Sequence, residues 1–179
     1  MKLLIVVASA TGRTRRMAEA AAEGARAAGA EVLIRSPDEA QEADLLEADA
    51  IMLGSGVHMG GIQSSMRIFF ERMAPLWLRG ALVGKLGAAF ASAGEGGRGG
   101  TELALISMLA NLAEHGALLV PMHNRMEGFR AAGSHWGPAA RTNPREGVPG
   151  PTEEQLVAAR SHGRFVAECA RRWLAGAEG

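Results

Sequence analysis

Three hydroxyls and a glycine crowd into six residues near the start of the chain, Ser9-Ala10-Thr11-Gly12-Arg13-Thr14. The hydroxyls of Ser9, Thr11 and Thr14 suit the surroundings of an anion, and Gly12 lets the backbone approach it closely. The stretch follows an apolar run at 3–8 that reads as a buried strand, and it opens an alanine-rich helical pattern. A helix N-terminus offers backbone N–H groups and the positive end of the dipole, so the composite is a phosphate cradle. Arg13, Arg15 and Arg16 oppose the dipole there, a small penalty that an anionic ligand offsets. After the first strand of an α/β chain, such a cradle points to a nucleotide-type cofactor held by its phosphate. A well-capped turn without a ligand is the alternative.

A second glycine-rich run, Gly94-Glu95-Gly96-Gly97-Arg98-Gly99, matches the dinucleotide pattern G-x-G-x-x-G. Its place after the fourth strand and the missing acidic partner argue against an adenosine site. It reads instead as a loop whose backbone groups meet the polar edge of a flat ring. The stretch from Gly80 to Lys85 is one residue short of a phosphate-binding P-loop, lacks the following Ser or Thr, and precedes a strand, so it is discarded.

The five histidines at 58, 115, 123, 135 and 162 show no metal-ligand spacing, so no metal is expected. His115, at a helix-to-strand junction, serves either as a structural cap or as a ligand-facing group. Trp77 stands in an apolar connection, where core packing is the default and a ligand lid the alternative. No nucleophile elbow is present, and the single cysteine, Cys169, reads as a buried inert thiol.

The elements that position these residues alternate. Strands are expected at 3–8, 31–35, 50–54, 84–92 and 117–122, with helices at 14–28, 63–73 and 101–115 and a last one capped by Thr152. Residues 37–47 read as a linker with one helical turn, 55–61 as a glycine-rich loop, and 123–151 as a long loop with a functional or interface role. The pattern fits one domain over 1–179 with a flavodoxin-like, three-layer, doubly wound sheet of five parallel strands, order 2-1-3-4-5. Ligands of such sheets lie at the carboxyl ends of the strands, where the order reverses. The loops after strands one, three and four converge there.

Composition narrows the function. Lys plus Arg and Asp plus Glu both number 19, so no net field attracts nucleic acid or an anionic membrane. With 47% hydrophobic and 21% charged residues among 179, the chain reads as soluble and globular. No stretch approaches the ~20 apolar residues of a membrane span. The run at 3–8 is too short for a signal core, and a cytoplasmic protein is expected.

With those loops placed, the chain resembles the WrbA-type NAD(P)H:quinone oxidoreductases, FMN proteins of the flavodoxin-like superfamily. The stretches that carry the resemblance are Met66-Arg-Ile-Phe-Phe70, Leu76-Trp-Leu-Arg-Gly-Ala-Leu-Val-Gly-Lys-Leu-Gly87, Ser107-Met-Leu-Ala-Asn-Leu-Ala-Glu-His-Gly116 and Glu153-Glu-Gln-Leu156. The resemblance implies that Ser9, Ala10, Thr11, Gly12, Arg13 and Thr14 hold the FMN phosphate. It implies that Val57, His58 and Met59 flank the ribityl chain and the ring. Ser92, Ala93, Gly94, Glu95, Gly96 and Gly97 would meet the pyrimidine edge. His115 would sit near the flavin ring, facing the substrate space, and Trp77 would wall the nicotinamide and quinone pocket. Where the family usually carries Pro-Thr-Arg-Phe after strand three, this chain has Gly56-Val57-His58-Met59.

The implied reaction is a two-electron, ping-pong reduction of a quinone by NADH or NADPH, with one hydride passed to the flavin before the quinone enters the same pocket. Family members assemble as tetramers with sites completed by neighbouring subunits, so a homotetramer (a dimer of dimers) is expected. Rival readings are a flavodoxin-like electron carrier, a regulatory partner of a DNA-binding protein, and an FMN reductase acting on azo or nitroaromatic acceptors.

Overall fold

Apolar residues at successive positions, not alternating ones, dictate strands buried on both faces, and such strands form parallel sheets covered by helices on each side. Leu3 to Ala8 of β1 (Lys2–Ala8) are all buried, as are the first six residues of β3 (Ala50–His58) and the whole of β5 (Leu86–Ala93). The computed structural model describes residues 1–94, 100–132, 134–142, 147 and 150–177.

The sheet runs β2-β1-β3-β5-β6, with β2 at Glu31–Arg35 and β6 at Leu118–Leu119, and these pairs are parallel. Chain order reverses between β1 and β3, which are hydrogen-bonded neighbours. Helices α1 (Arg13–Ala27) and α7 (Glu153–Ala177) cover one face; α3 (Ser64–Arg72), α4 (Ala74–Leu78) and α5 (Gly100–Glu114) cover the other. A short helix α2 (Glu42–Glu47), with a capping box between Gln41 and Asp44, supplies the helical turn expected in 37–47.

Three expectations need correction. The fifth strand is not a continuous 117–122. Val120 still donates to Gly87 O, but Pro121 has no N–H to give the ladder, and the next donor, Met122 N, turns to His135 O instead. The chain then makes an excursion and returns. Within the 123–151 segment, read as loop, lie α6 (Phe129–Ala132) and β7 (Ala139–Arg141), which pairs parallel with the carboxyl half of β5. Finally, β3 runs on to His58 and folds into an antiparallel hairpin with β4 (Gly61–Ile62) where a loop was expected. Met59 and Gly60 at its tip both have positive φ, 48° and 86°. That is the two-residue turn whose twist matches the strands it joins. Trp77, in the apolar connection before β5, lies on α4. Among the described residues no helix is long and apolar enough to cross a membrane.

Candidate functional site

The first turn of α1 is built from the backbone outward. Gly12 caps the helix with φ 80°, a left-handed conformation that costs glycine nothing, and a side chain there would meet nothing within 4 Å. Ser9 Oγ reaches forward and accepts from the backbone N–H of Arg15 at 3.1 Å, which fixes the curl of the 9–12 loop. Neither α1 nor α3 carries an acidic residue in its first turn.

Both first turns open onto the same cleft, of about 440 Å³, at the carboxyl ends of β1 and β2. Ser9, Gly12 and Arg15 form one wall; Gln63 and Ser65, at the start of α3, form another; Asp38, after β2, closes the third side. The Asp38 wall is held from beneath, because the Arg72 guanidinium donates to the carbonyls of Pro37 and Ala40. The start of α3 is held by Ser55, which is fully buried and whose Oγ accepts from Gln63 N at 3.0 Å while donating to Gly56 O. Gln63 Oε1 is shut off from solvent without a partner.

Several expected site residues come together on this rim. Ser9, Ala10, Thr11, Gly12 and Arg13 are partly or fully exposed along the first loop. Val57 packs partly against the core under the hairpin, His58 is exposed beside it, and Met59 stands fully in solvent at the tip. Ser92 and Ala93 end β5 next to β3, in register with Gly56 for Ser92, and Gly94 follows exposed. Thr14 is on the rim too, but its side chain is turned inward and its hydroxyl lies 2.7 Å from Ser92 Oγ. Glu95, Gly96 and Gly97 lie outside the described residues. Gln63, Ser65, Asp38 and Ser55 were not singled out from the sequence; the Ser64-Ser65 pair at the expected helix start was the available signal.

Trp77 and His115 are elsewhere. Helix α5 leaves the carboxyl edge at Gly100 and runs back along the sheet, and its 15 residues carry the chain about 21 Å before His115. There His115 and Trp77 line a second cavity, of about 190 Å³, with Phe70, Asn111 and Glu114. The imidazole is buried, its Nδ1 has no partner, and burial pushes its pKa below the ordinary range while the Glu114 carboxylate pulls the other way. Within one chain, the expected meeting of His115 with the ring-binding loops does not occur.

The sequence and the fold have counterparts among known proteins. A flavodoxin domain family model matches residues 4–91. An NAD(P)H dehydrogenase (quinone) from Methylocella silvestris is 38% identical, aligned over 94% of this chain and 96% of its own length. One of the same name from Archaeoglobus fulgidus is 34% identical over 96% and 98%. This chain belongs to the WrbA-type NAD(P)H dehydrogenase (quinone) family. A crystal structure of a flavodoxin, WrbA-like protein from Agrobacterium tumefaciens superimposes with a TM-score of 0.74 at 26% identity, covering 96% of this chain and 98% of that one.

Gly56-Val57-His58-Met59 occupies the end of β3, and Gly56 leaves space over which the His58 ring folds. A side chain built at 56 would begin 3.6 Å from His58 Nε2 and 3.4 Å from Thr14 Oγ1. The hairpin in turn rests on the start of α5, where a side chain on Gly100 would come within 3.0 Å of Val57 Cγ1.

Proposed function

We propose that this chain is an FMN-dependent NAD(P)H:quinone oxidoreductase that works in two half-reactions, nicotinamide first and quinone second. The observation that carries this reading is the convergence of two helix N-termini, α1 and α3, on one cleft beside the 9–12 loop, with no carboxylate in either first turn. Two positive dipole ends aimed at one point favour a phosphate group. The cleft also adjoins the carboxyl end of β1, one of the two strands between which the order reverses and beside which doubly wound sheets bind their ligands.

In this reading Ser9, Ala10, Thr11, Gly12 and Arg13, with the backbone of Thr14, hold the phosphate. Val57, His58 and Met59 flank the ring, and Ser92, Ala93 and Gly94, continued by Glu95, Gly96 and Gly97, meet its pyrimidine edge. Bound there, FMN supplies the two-electron chemistry that links nicotinamide to quinone. The chain's own part is to grip the phosphate, orient the ring and keep one face open. His115, held neutral by burial, offers a hydrogen bond to a quinone oxygen instead of a cation. Trp77, about half-exposed, supplies a flat wall for an aromatic substrate.

His115 and Trp77 lie an α5 length from the cradle, so they serve a flavin held by another copy of the chain. A homotetramer, a dimer of dimers, provides such neighbours. Exposed Ile68 on α3, Leu78 on α4 and Leu103 and Ile106 on α5 give the helical face that a second copy would cover.

The decisive experiment is spectroscopic. Purified protein should quench FMN fluorescence on titration; NADH or NADPH should bleach the bound flavin's visible band; a benzoquinone should restore it. Protein that binds no FMN ends the reading. A bound flavin that nicotinamide cannot bleach makes the protein an electron carrier instead.

A further inference from the structure

Thr14 and Ser92 are 78 residues apart, belong to opposite sides of the cofactor rim, and are both buried, at 2% and 5% exposure. Their hydroxyls lie 2.7 Å apart. Ser9 lines the open cleft; Thr14 does not, and its hydroxyl is turned inward onto that of Ser92. Gly56 on β3 is the register partner of Ser92, and a Cβ built on it would stand in ordinary contact with Thr14 Oγ1, at 3.4 Å. The bond therefore spans the end of β3 and ties the first turn of α1 to the last residues of β5. Beyond Ser92, Ala93 is held in its turn by β7: its carbonyl accepts from both the backbone N–H and the hydroxyl of Thr142.

We propose that the Thr14–Ser92 hydroxyl pair is a positioning device that locks the phosphate cradle to the ring-edge strand, so that the flavin's phosphate and its ring are gripped as one unit. This rests on the FMN reading given above. Neither hydroxyl touches the phosphate; each acts through the other. A buried hydroxyl that loses its partner is costly, while losing both partners together is nearly neutral.

The test is a double-mutant cycle on FMN affinity with Thr14→Val, Ser92→Ala and the double variant, and Thr14→Ser as the conservative rescue. Each single substitution should raise the FMN Kd about tenfold, the loss of one buried hydrogen bond. The double variant should be no weaker than either single, and Thr14→Ser should restore wild-type binding. Both singles should also alter the visible band of the bound flavin, which a purely structural contact would leave unchanged while lowering the urea midpoint. Weakening by Thr14→Val alone, with Ser92→Ala silent, would make Thr14 a direct phosphate ligand and overturn the proposal. So would additive losses, or two silent singles. Wild-type protein that fails to bind FMN removes the functional reading and this proposal together, whereas binding with an uncoupled cycle removes only this one.

Discussion

His162 is fully buried on α7, where one ring nitrogen, Nε2, donates to Val120 O at 2.9 Å and the other, Nδ1, has no partner. Burial pushes its pKa down to about 4; His123 pushes the same way and the Val120 hydrogen bond resists. An unfolded histidine titrates near 6.5, so on acidification the unfolded chain takes up the proton first. The stability held by neutral His162 is complete above that value and drains away as pH falls towards 4, up to about 3 kcal/mol. His115, also shifted down by burial, adds in the same sense. Urea midpoints should fall across this window, and His162→Gln should flatten the fall; an unchanged pH profile in the variant would refute the assignment. Gly12 allows a complementary test. A Cβ there meets nothing within 4 Å, so the cost of Gly12→Val is chiefly left-handed backbone strain, about 1–2 kcal/mol. The variant should weaken FMN by about a hundredfold or more while folding normally, which isothermal titration and circular dichroism would separate.

At the scale of elements, α1 and α7 pack backbone against backbone at two glycines. A side chain on Gly24 would begin 1.9 Å from Arg160 O, and one on Gly163 would begin 2.1 Å from Ala21 O. Backbone atoms cannot yield as a side-chain tip can, so Gly24→Ala or Gly163→Ala must push the helices apart. Each should cost about 3 kcal/mol, at the upper end of overpacking penalties, read as a lower denaturation midpoint. The helices themselves were legible: α1 was expected over 14–28 and spans Arg13–Ala27, and β2 matches at Glu31–Arg35. Long apolar periodicity and a closing glycine carry such signals locally. The glycine contact was not, because each residue reads as a mild helix weakness until its partner, over a hundred positions away, is known. Nor was β7, whose three residues Ala-Ala-Arg hold no strand preference and are recruited by the open carboxyl half of β5.

Across the whole molecule, the loop proposed to hold the phosphate could be located from composition alone, because its residues are contiguous in the chain. The substrate side could not. Trp77 and His115 were identifiable as residues, but only the direction of α5 reveals that they face away from their own cradle. An exposed apolar helical face and a buried imidazole with a vacant Nδ1 then acquire one explanation, a neighbour whose flavin they complete. That explanation makes a prediction no single-chain site can share. Take one variant with a crippled cradle, Gly12→Val, and another with a crippled wall, Trp77→Ala combined with His115→Ala; each alone should show little quinone reduction. Co-expressed in equal amounts, they should form mixed assemblies in which about a quarter of the sites draw an intact cradle from one chain and an intact wall from another. Quinone turnover should therefore return to roughly that fraction of wild type, while flavin content stays at the average of the two variants. If both halves of the site belong to the same chain, mixing restores nothing, and turnover of the co-expressed sample remains at the level of the inactive parents.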